Sequence, residues 1–131
     1  MSKKIFVFGS NEAGIHGAGA AKVAYEKHGA RWGFSYGHMG NSFAIPTKDE
    51  LIESLPLHRI QMYVGGFLAF AAGHRKLEFQ VTRIGCGLAG FTDKQIAPFF
   101  VGAPTNCFFD EKWKDVFDKH GFAPQYWGTF N

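Results

Sequence analysis

Residues 82–91 read TRIGCGLAGF, and they decide the fold because they join the end of an apolar strand to a glycine-rich loop. The alternating apolar residues Phe79 and Val81 just before this stretch indicate the strand. Gly85, Gly87 and Gly90 then follow in close succession, although glycine loses more backbone freedom on folding than any other residue. Such a loop is expected where the backbone must turn tightly or come close to another group.

The same arrangement occurs near the start of the chain. The continuous apolar run Ile5-Phe6-Val7-Phe8 is typical of a strand that is buried on both faces, as in a parallel sheet. It is followed by GSNEAGIHGAGAA, residues 9–21, which we call the first glycine loop. Residues 85–91, GCGLAGF, are the second glycine loop. Two buried strands are therefore each followed by a bare stretch of backbone.

The remaining elements alternate between helix and strand. Three- and four-residue spacing of apolar side chains predicts a long helix over 56–75, and Pro46 is expected at a strand end or edge. The predicted strands cover 5–8, 42–47, 79–84 and 106–109, and the predicted helices cover 17–28, 56–75, 95–103 and 111–120. This order predicts a compact, three-layer α/β domain over residues 1–131, with a central, mostly parallel (mixed) sheet flanked by helices.

Composition narrows the class of function. The formal net charge of +3 permits an anionic small ligand. The sequence has no basic stripe, so an extended nucleic-acid surface is not expected. Cys86 and Cys107 lack neighbours at metal-ligand spacing, so neither a metal nor a cofactor is expected. The absence of a long apolar segment argues against a membrane and favours a cytoplasmic location. The oligomeric state is left open.

Both glycine loops follow strands, and ligands of open α/β sheets bind beyond the carboxyl ends of the strands. Backbone amides without side chains can approach a phosphate closely, and the N-terminus of a following helix favours negative charge. The two loops together therefore predict an anion site, most simply one for a diphosphate.

Three motifs resemble those of the macro domain, the ADP-ribose-binding module. They are Gly17-Ala18-Gly19 at a helix start, Thr47-Lys48 at a strand end, and Ile84-Gly85-Cys86-Gly87. In this order they are most similar to the branch that holds the terminal ADP-ribose protein glycohydrolase and the DarG antitoxin. The similarity spans roughly residues 5–110.

The resemblance implies binding of ADP-ribose or an ADP-ribosylated substrate, and hydrolysis of an ADP-ribosyl linkage through Lys48, which would attack the anomeric carbon of the distal ribose. It also implies that Asn11 orients that ribose. The ligand-binding residues expected on this basis are Gly9, Ser10, Asn11, His16, Gly17, Ala18, Gly19, Thr47, Ile84, Gly85, Cys86, Gly87, Leu88, Ala89, Gly90 and Phe91.

Several of these residues have a simpler alternative. Lys48 is equally typical of a solvated charge beside its acidic neighbours, and Asn11 of a turn-forming side chain after a strand. His16 would contact phosphate or act as a base, or be an exposed loop residue. Cys86 needs a lowered pKa to be a nucleophile, and its small size in a tight loop explains it as well.

The function also has alternatives. Ala89 stands where the glycohydrolase has an acidic residue, which favours a non-catalytic reader or scavenger of ADP-ribose or NAD metabolites. Glu12 would have to supply the missing acid, and Asp93 is more simply a helix N-cap. The aromatic tail, residues 123–131, is expected to dock on the domain itself; an antitoxin-like interaction protein is the third possibility.

Overall fold

The computed structural model describes residues 4–130. The strands are β1 (Ile5–Asn11), β2 (Gly37–Met39), β3 (Ser42–Lys48), β4 (Phe79–Val81), β5 (Cys107–Asp110) and β6 (Gln125–Gly128). The helices are α1 (Gly19–Lys27), α2 (Leu57–Gly73), α3 (Asp93–Ile96) and α4 (Lys114–Lys119). Short 3-10 turns follow α3 at Ala97–Phe100 and precede α4 at Glu111–Trp113. The alternating helices and strands expected from the sequence are confirmed.

The strands form one six-stranded sheet in the order β2-β3-β1-β4-β5-β6. Only the edge strand β2 is antiparallel, and the pairings from β3 through β6 are parallel. The fold is therefore α/β with a mixed, mostly parallel sheet between helices, as the alternation predicts.

Alternation along β1 divides the interior into two cores. Ile5 and Val7 face the larger core, to which α2, α3 and α4 contribute, whereas Phe6 and Phe8 face a smaller core under α1. Because both faces of β1 are buried, its run of apolar residues needs no polar positions. Among the described residues, no helix is both long and apolar enough to cross a membrane.

The tail folds as an additional strand that the sequence analysis did not predict. β6 pairs in parallel with β5, and Trp127 Nε1 donates a 2.9 Å hydrogen bond to the carbonyl of Val81. The expectation that the tail docks on its own domain is confirmed for the residues up to 130.

Pro46 lies inside β3 and pairs with Ser10, where the register with β1 shifts. It is beyond Ala44, the last β3 residue that β2 pairs.

One helix start differs from the prediction. Thr92, not Asp93, is the N-cap of α3, and its backbone N–H donates a 2.9 Å hydrogen bond to the Gln95 side chain. Asp93 lies in the first turn, where its carboxylate accepts hydrogen bonds from Arg83 and from Trp113. The Asp93 carboxylate is thus engaged by Arg83 and Trp113 and does not cap the helix, as the local sequence alone would predict it to do.

Candidate functional site

A cavity of about 490 Å³ opens at the carboxyl ends of β1, β3, β4 and β5. Such a volume lies within the range of small-molecule sites in proteins. Of the residues predicted to bind ligand, those at 9–11, 17–19, 47–48 and 84–89 line it. His16, Gly90 and Phe91 do not line it. The two glycine loops and the end of β3 thus meet at one rim of the sheet.

The two glycine loops are in direct contact there. A Cβ placed on Gly9 would lie 3.4 Å from the backbone nitrogen of Gly85. A Cβ placed on Gly19 would lie 3.3 Å from Cδ1 of Leu88. Leu88 therefore reaches from the second loop to the start of α1, and a side chain at either glycine would be in contact with the second loop.

The second glycine loop is shaped by its own backbone. Gly85 has a φ of +74°, a left-handed conformation that L side chains rarely adopt. Its carbonyl accepts a 2.8 Å hydrogen bond from the Phe91 N–H, and Gly87 accepts one of 3.0 Å from Gly90. Phe91 packs against the larger core rather than lining the cavity. Phe91, which was expected among the ligand-binding residues, therefore supports the loop from the core side.

Asn11 closes the first glycine loop. Its Nδ2 donates a 2.7 Å hydrogen bond to the Ile15 carbonyl, and its Oδ1 accepts a 3.0 Å bond from the Ile15 N–H. Both ends of the amide are therefore engaged with the loop backbone, in the turn-forming manner that the sequence analysis left open. Asn11 still lines the cavity, so a ligand would meet an amide whose orientation is already fixed.

His16 is buried and was wrongly expected to be an exposed loop residue. Only 1% of its surface is accessible, and its Nε2 lies 2.9 Å from the Arg31 carbonyl and 3.1 Å from that of Phe34. A proton on Nε2 serves both carbonyls, and Nδ1 has no partner within the described residues. The ring packs edge-on against Phe8 and Trp32. His16 thus fastens the first loop to residues 31–34.

Lys48 lies at the end of β3, opposite Asn11 in the register with β1. It is half-buried and lines the cavity. Within residues 4–130 its side chain takes part in no ion pair or hydrogen bond. Its acidic neighbour Asp49 accepts hydrogen bonds from the N–H groups of Leu51 and Glu53 instead. A cation thus faces the cavity without a protein counter-ion among the described residues.

The acid that Ala89 lacks is not supplied by Glu12. The Glu12 carboxylate pairs with Arg59 at 2.7 Å and accepts a hydrogen bond from the Tyr63 hydroxyl. Glu12 does not line the cavity. The one carboxylate among the described lining residues is Asp110, which the sequence analysis missed.

Asp110 has a structural role at the end of β5. It is buried, caps the following 3-10 turn through a 2.9 Å bond from the Lys112 N–H, and accepts a 3.0 Å bond from Thr129. Its position directly after a strand of the same sheet was the signal that could have identified it. Both carboxylate oxygens are engaged, so Asp110 is not a ready counterpart of the acid absent at Ala89.

Arg83 is a second cation at the cavity that the sequence analysis did not select. Its Nε and Nη2 each donate a 2.8 Å hydrogen bond to Asp93. Burial acts to raise the pKa of Asp93, but the hydrogen bonds from Arg83 and Trp113 outweigh it and hold that pKa below its usual value. The guanidinium of Arg83, at the cavity wall, is therefore already paired with the carboxylate of Asp93.

Cys86 is not an activated nucleophile. Burial, with the nearby Asp93 charge, raises the pKa of its thiol to about 12. A thiol with such a pKa is protonated at neutral pH, and the thiolate is the nucleophilic form. The alternative that small size in a tight loop explains Cys86 is the one that the geometry supports. Cys107 is buried in the larger core.

Comparison with known proteins finds a similar fold but no family. No protein-family model matches the chain, and no curated protein matches it significantly. A solved structure described as a protein of unknown function from Bacteroides thetaiotaomicron is similar with a TM-score of 0.55 and 14% identity. The similarity covers 98% of this chain and 90% of that one. At this identity it supports the α/β architecture, and the site must be interpreted from its own geometry.

Proposed function

We propose that this protein binds ADP-ribose, or a related nucleoside diphosphate, in the cavity between its two glycine loops. The macro-domain resemblance suggested such a ligand. The proposal is supported by the convergence of both loops with Lys48 at one rim of the sheet, since each element alone has a purely structural explanation.

The observation that carries the proposal is the presence of two glycines that the fold itself does not require. Gly17 and Gly87 have no positive φ, and a Cβ added at either would have no atom within 4 Å. Both line the cavity, one from each loop. Neither turn geometry nor packing excludes alanine at these positions, and a ligand that approaches the backbone closely would account for glycine at both.

The electrostatics of the cavity suit an anion. α1 begins at its edge with Ala18 as N-cap, no side-chain cap and no acidic residue in the first turn. The first N–H groups of a helix have no intrahelical acceptor, so these are available to phosphate oxygens. Lys48 adds a cation without a counter-ion among residues 4–130.

The binding experiment compares matched glycines. Gly17→Ala and Gly87→Ala should each weaken ADP-ribose binding about tenfold in calorimetry, because a methyl group would prevent close approach of a phosphate. Gly65→Ala is the control, since Gly65 likewise has open space around it but lies in α2 outside the cavity. Wild-type protein that gives no heat with millimolar ADP-ribose, or cavity variants that bind like wild type, would refute the proposal.

Hydrolysis through Lys48 is the catalytic form of this function. In it the neutral lysine amine forms a bond to the anomeric carbon of the distal ribose as the bond to the modified group breaks, and the amine's proton passes to the departing group. Water then adds to the same carbon, which releases the sugar and restores the amine. The non-catalytic reader is favoured by one observation. Asp110, the only carboxylate among the described lining residues, already accepts hydrogen bonds from the Lys112 N–H and the Thr129 hydroxyl.

Release of ADP-ribose from ADP-ribosylated glutamate or thymidine separates the two forms. If the wild type releases ADP-ribose, Lys48→Ala and Lys48→Arg should both abolish release, because neither provides an amine that can form the adduct. Lys48→Arg should still bind ADP-ribose, because it retains the charge. A wild type that binds ADP-ribose and releases none from either substrate is a reader.

A further inference from the structure

The turn that follows Lys48 at the rim of the cavity combines acidic and apolar residues. Residues 49–53 read DELIE, and we call them the acidic turn. Leu51 is 79% exposed, the largest exposure among the large apolar side chains of residues 4–130. Ile52, the next residue, lines the cavity. The turn therefore presents apolar surface and negative charge to any group that lies beside Lys48.

Hydrogen bonds fix the shape of the acidic turn. The Asp49 carboxylate accepts bonds from the N–H groups of Leu51 at 2.8 Å and Glu53 at 3.0 Å. The Asp49 N–H donates a 2.7 Å bond to the Glu53 carbonyl. The Ser54 hydroxyl then donates a 2.7 Å bond to the carbonyl of Ala89 in the second glycine loop. The turn is thus closed on itself and joined to the cavity wall.

The charges around this end of the cavity are not balanced. In the described part of the chain, the side chains of Glu50 and Glu53 take part in no ion pair or hydrogen bond. The second glycine loop has no charged residue, and Glu12 of the first loop is paired with Arg59. The three carboxylates of the acidic turn outnumber the single charge of Lys48. The surface beside the cavity is therefore negative, although the cavity itself suits an anion.

This surface bears on the molecule that carries the ADP-ribosyl group. In the proposed function Lys48 faces the distal ribose, so the group attached to that ribose leaves the cavity beside the acidic turn. A nucleic-acid strand has a negative charge at every nucleotide, and Glu50 and Glu53 would repel its phosphates. Lysine or arginine side chains next to a modified glutamate would instead be attracted, and an apolar neighbour would bury part of Leu51.

We infer that the acidic turn contacts a basic, partly apolar protein segment that carries the ADP-ribosyl group, an inference that rests on the proposed function. The substrate class is then ADP-ribosylated protein and not ADP-ribosylated nucleic acid. The cavity binds the diphosphate, and the turn selects the chain to which it is attached.

The test compares the affinities of four probes in calorimetry at low salt. They are free ADP-ribose, two short peptides with ADP-ribose on a central glutamine, and a thymidine oligonucleotide with ADP-ribose on one base. The glutamine amide is a stable substitute for the ester at glutamate. One peptide has lysines and a leucine beside the modified residue, and the other has glutamates and a leucine. We expect the lysine peptide to bind about tenfold more tightly than the glutamate peptide or the oligonucleotide, and high salt to reduce this difference.

Variants test the acidic turn directly. Glu50→Gln combined with Glu53→Gln should remove most of the preference for the lysine peptide. Free ADP-ribose should bind this variant at least as tightly, because negative charges near an anion are lost. Glu26→Gln combined with Asp115→Asn is the control, since these two acids are also exposed but lie outside the turn and the cavity. Leu51→Ser should weaken binding of both peptides about threefold and leave free ADP-ribose unchanged.

The failure of the inference and that of the proposed function give different results. A wild type that does not bind free ADP-ribose would refute the proposed function itself. A wild type that binds free ADP-ribose, and binds the glutamate peptide or the oligonucleotide as tightly as the lysine peptide, would overturn the inference alone. A preference that survives removal of the Glu50 and Glu53 charges, or that is lost equally in the control, would also overturn it.

Discussion

The two glycine loops meet at the same rim of the sheet but are held in shape by different means. The first depends on buried side chains, the amide of Asn11 within the loop and the ring of His16 reaching residues 31–34. The second depends on backbone turns and on the Arg83–Asp93 pair at its base. A bare loop can thus be rigid either because another segment grips it or because its own glycines allow a tight path.

This difference predicts how each loop fails. The first should lose its shape when one buried side chain is removed, because several contacts converge on that side chain. The second distributes its support over backbone bonds and partly exposed contacts, so single substitutions should have smaller effects. The stabilities of variants in each loop therefore test whether the two loops are held differently.

The largest effect is expected for His16→Ala. The substitution removes a buried ring and leaves the carbonyls of Arg31 and Phe34 without their donor, which should lower the free energy of unfolding by about 3 kcal/mol. Urea denaturation measures this change. His58→Ala is the control because His58 is exposed on α2. A loss below about 1 kcal/mol would mean that the first loop does not depend on this ring.

An intermediate effect is expected for Asp93→Asn at the base of the second loop. Losing the charge-assisted bonds from Arg83 and Trp113 should lower the free energy of unfolding by about 1–2 kcal/mol at neutral pH. The side chains of Arg83 and Asp93 are 30% and 28% exposed, so solvent screens part of the interaction.

The pH dependence gives this prediction its sign. The pKa of folded Asp93 lies below the ordinary value of 3.8, so its ionised form stabilises the fold above that pH. This contribution should decline as the pH falls below about 4 and through the folded pKa. The difference between wild type and Asp93→Asn in urea denaturation should therefore be larger at pH 7 than at pH 3. An equal difference at both pH values would contradict the ion pair, and the exposed Glu50→Gln is the control.

The smallest effect is expected for Ser54→Ala, which removes the link from the turn after Lys48 to the second loop. Because Ser54 is exposed, water can replace its bond to the Ala89 carbonyl, and the free energy of unfolding should fall by only about 0.5 kcal/mol. Amide hydrogen exchange at Leu88 and Ala89 should nevertheless become faster. A loss near 2 kcal/mol would show that this single bond, rather than the backbone turns, holds the second loop.

The sequence was sufficient to predict that the loops would meet. The apolar run Ile5–Phe8 is followed at once by Gly9, and the predicted strand 79–84 is followed by Gly85. Parallel strands carry their following loops to one edge of the sheet. The burial of His16 was not predictable, because its partners are backbone carbonyls in the irregular segment 31–34. Every residue has a backbone carbonyl, so the residue types do not indicate which carbonyls will need a hydrogen-bond donor from a side chain.

The parts of the site that were missed come from long-range pairing. β6 returns beside β5 and brings Phe130 to the cavity wall, a placement that the order of apolar residues in the tail does not encode. Arg83 was passed over because its Asp93 partner is only recognisable once α3 is placed. Ile52 has a left-handed backbone, a conformation typical of glycine or asparagine. An isoleucine in the sequence gives no indication of it.

The hydrogen bond from Trp113 Nε1 to Asp93, 2.9 Å long, gives the molecule an optical reporter. Trp113 is fully buried, and the carboxylate that it contacts also grips Arg83 at the cavity wall. An anion that draws Arg83 away would alter the electric field at the indole and shift its emission. The exposed Trp32 does not line the cavity and would stay unperturbed, so the intrinsic fluorescence of the unlabelled protein should register occupancy of the cavity.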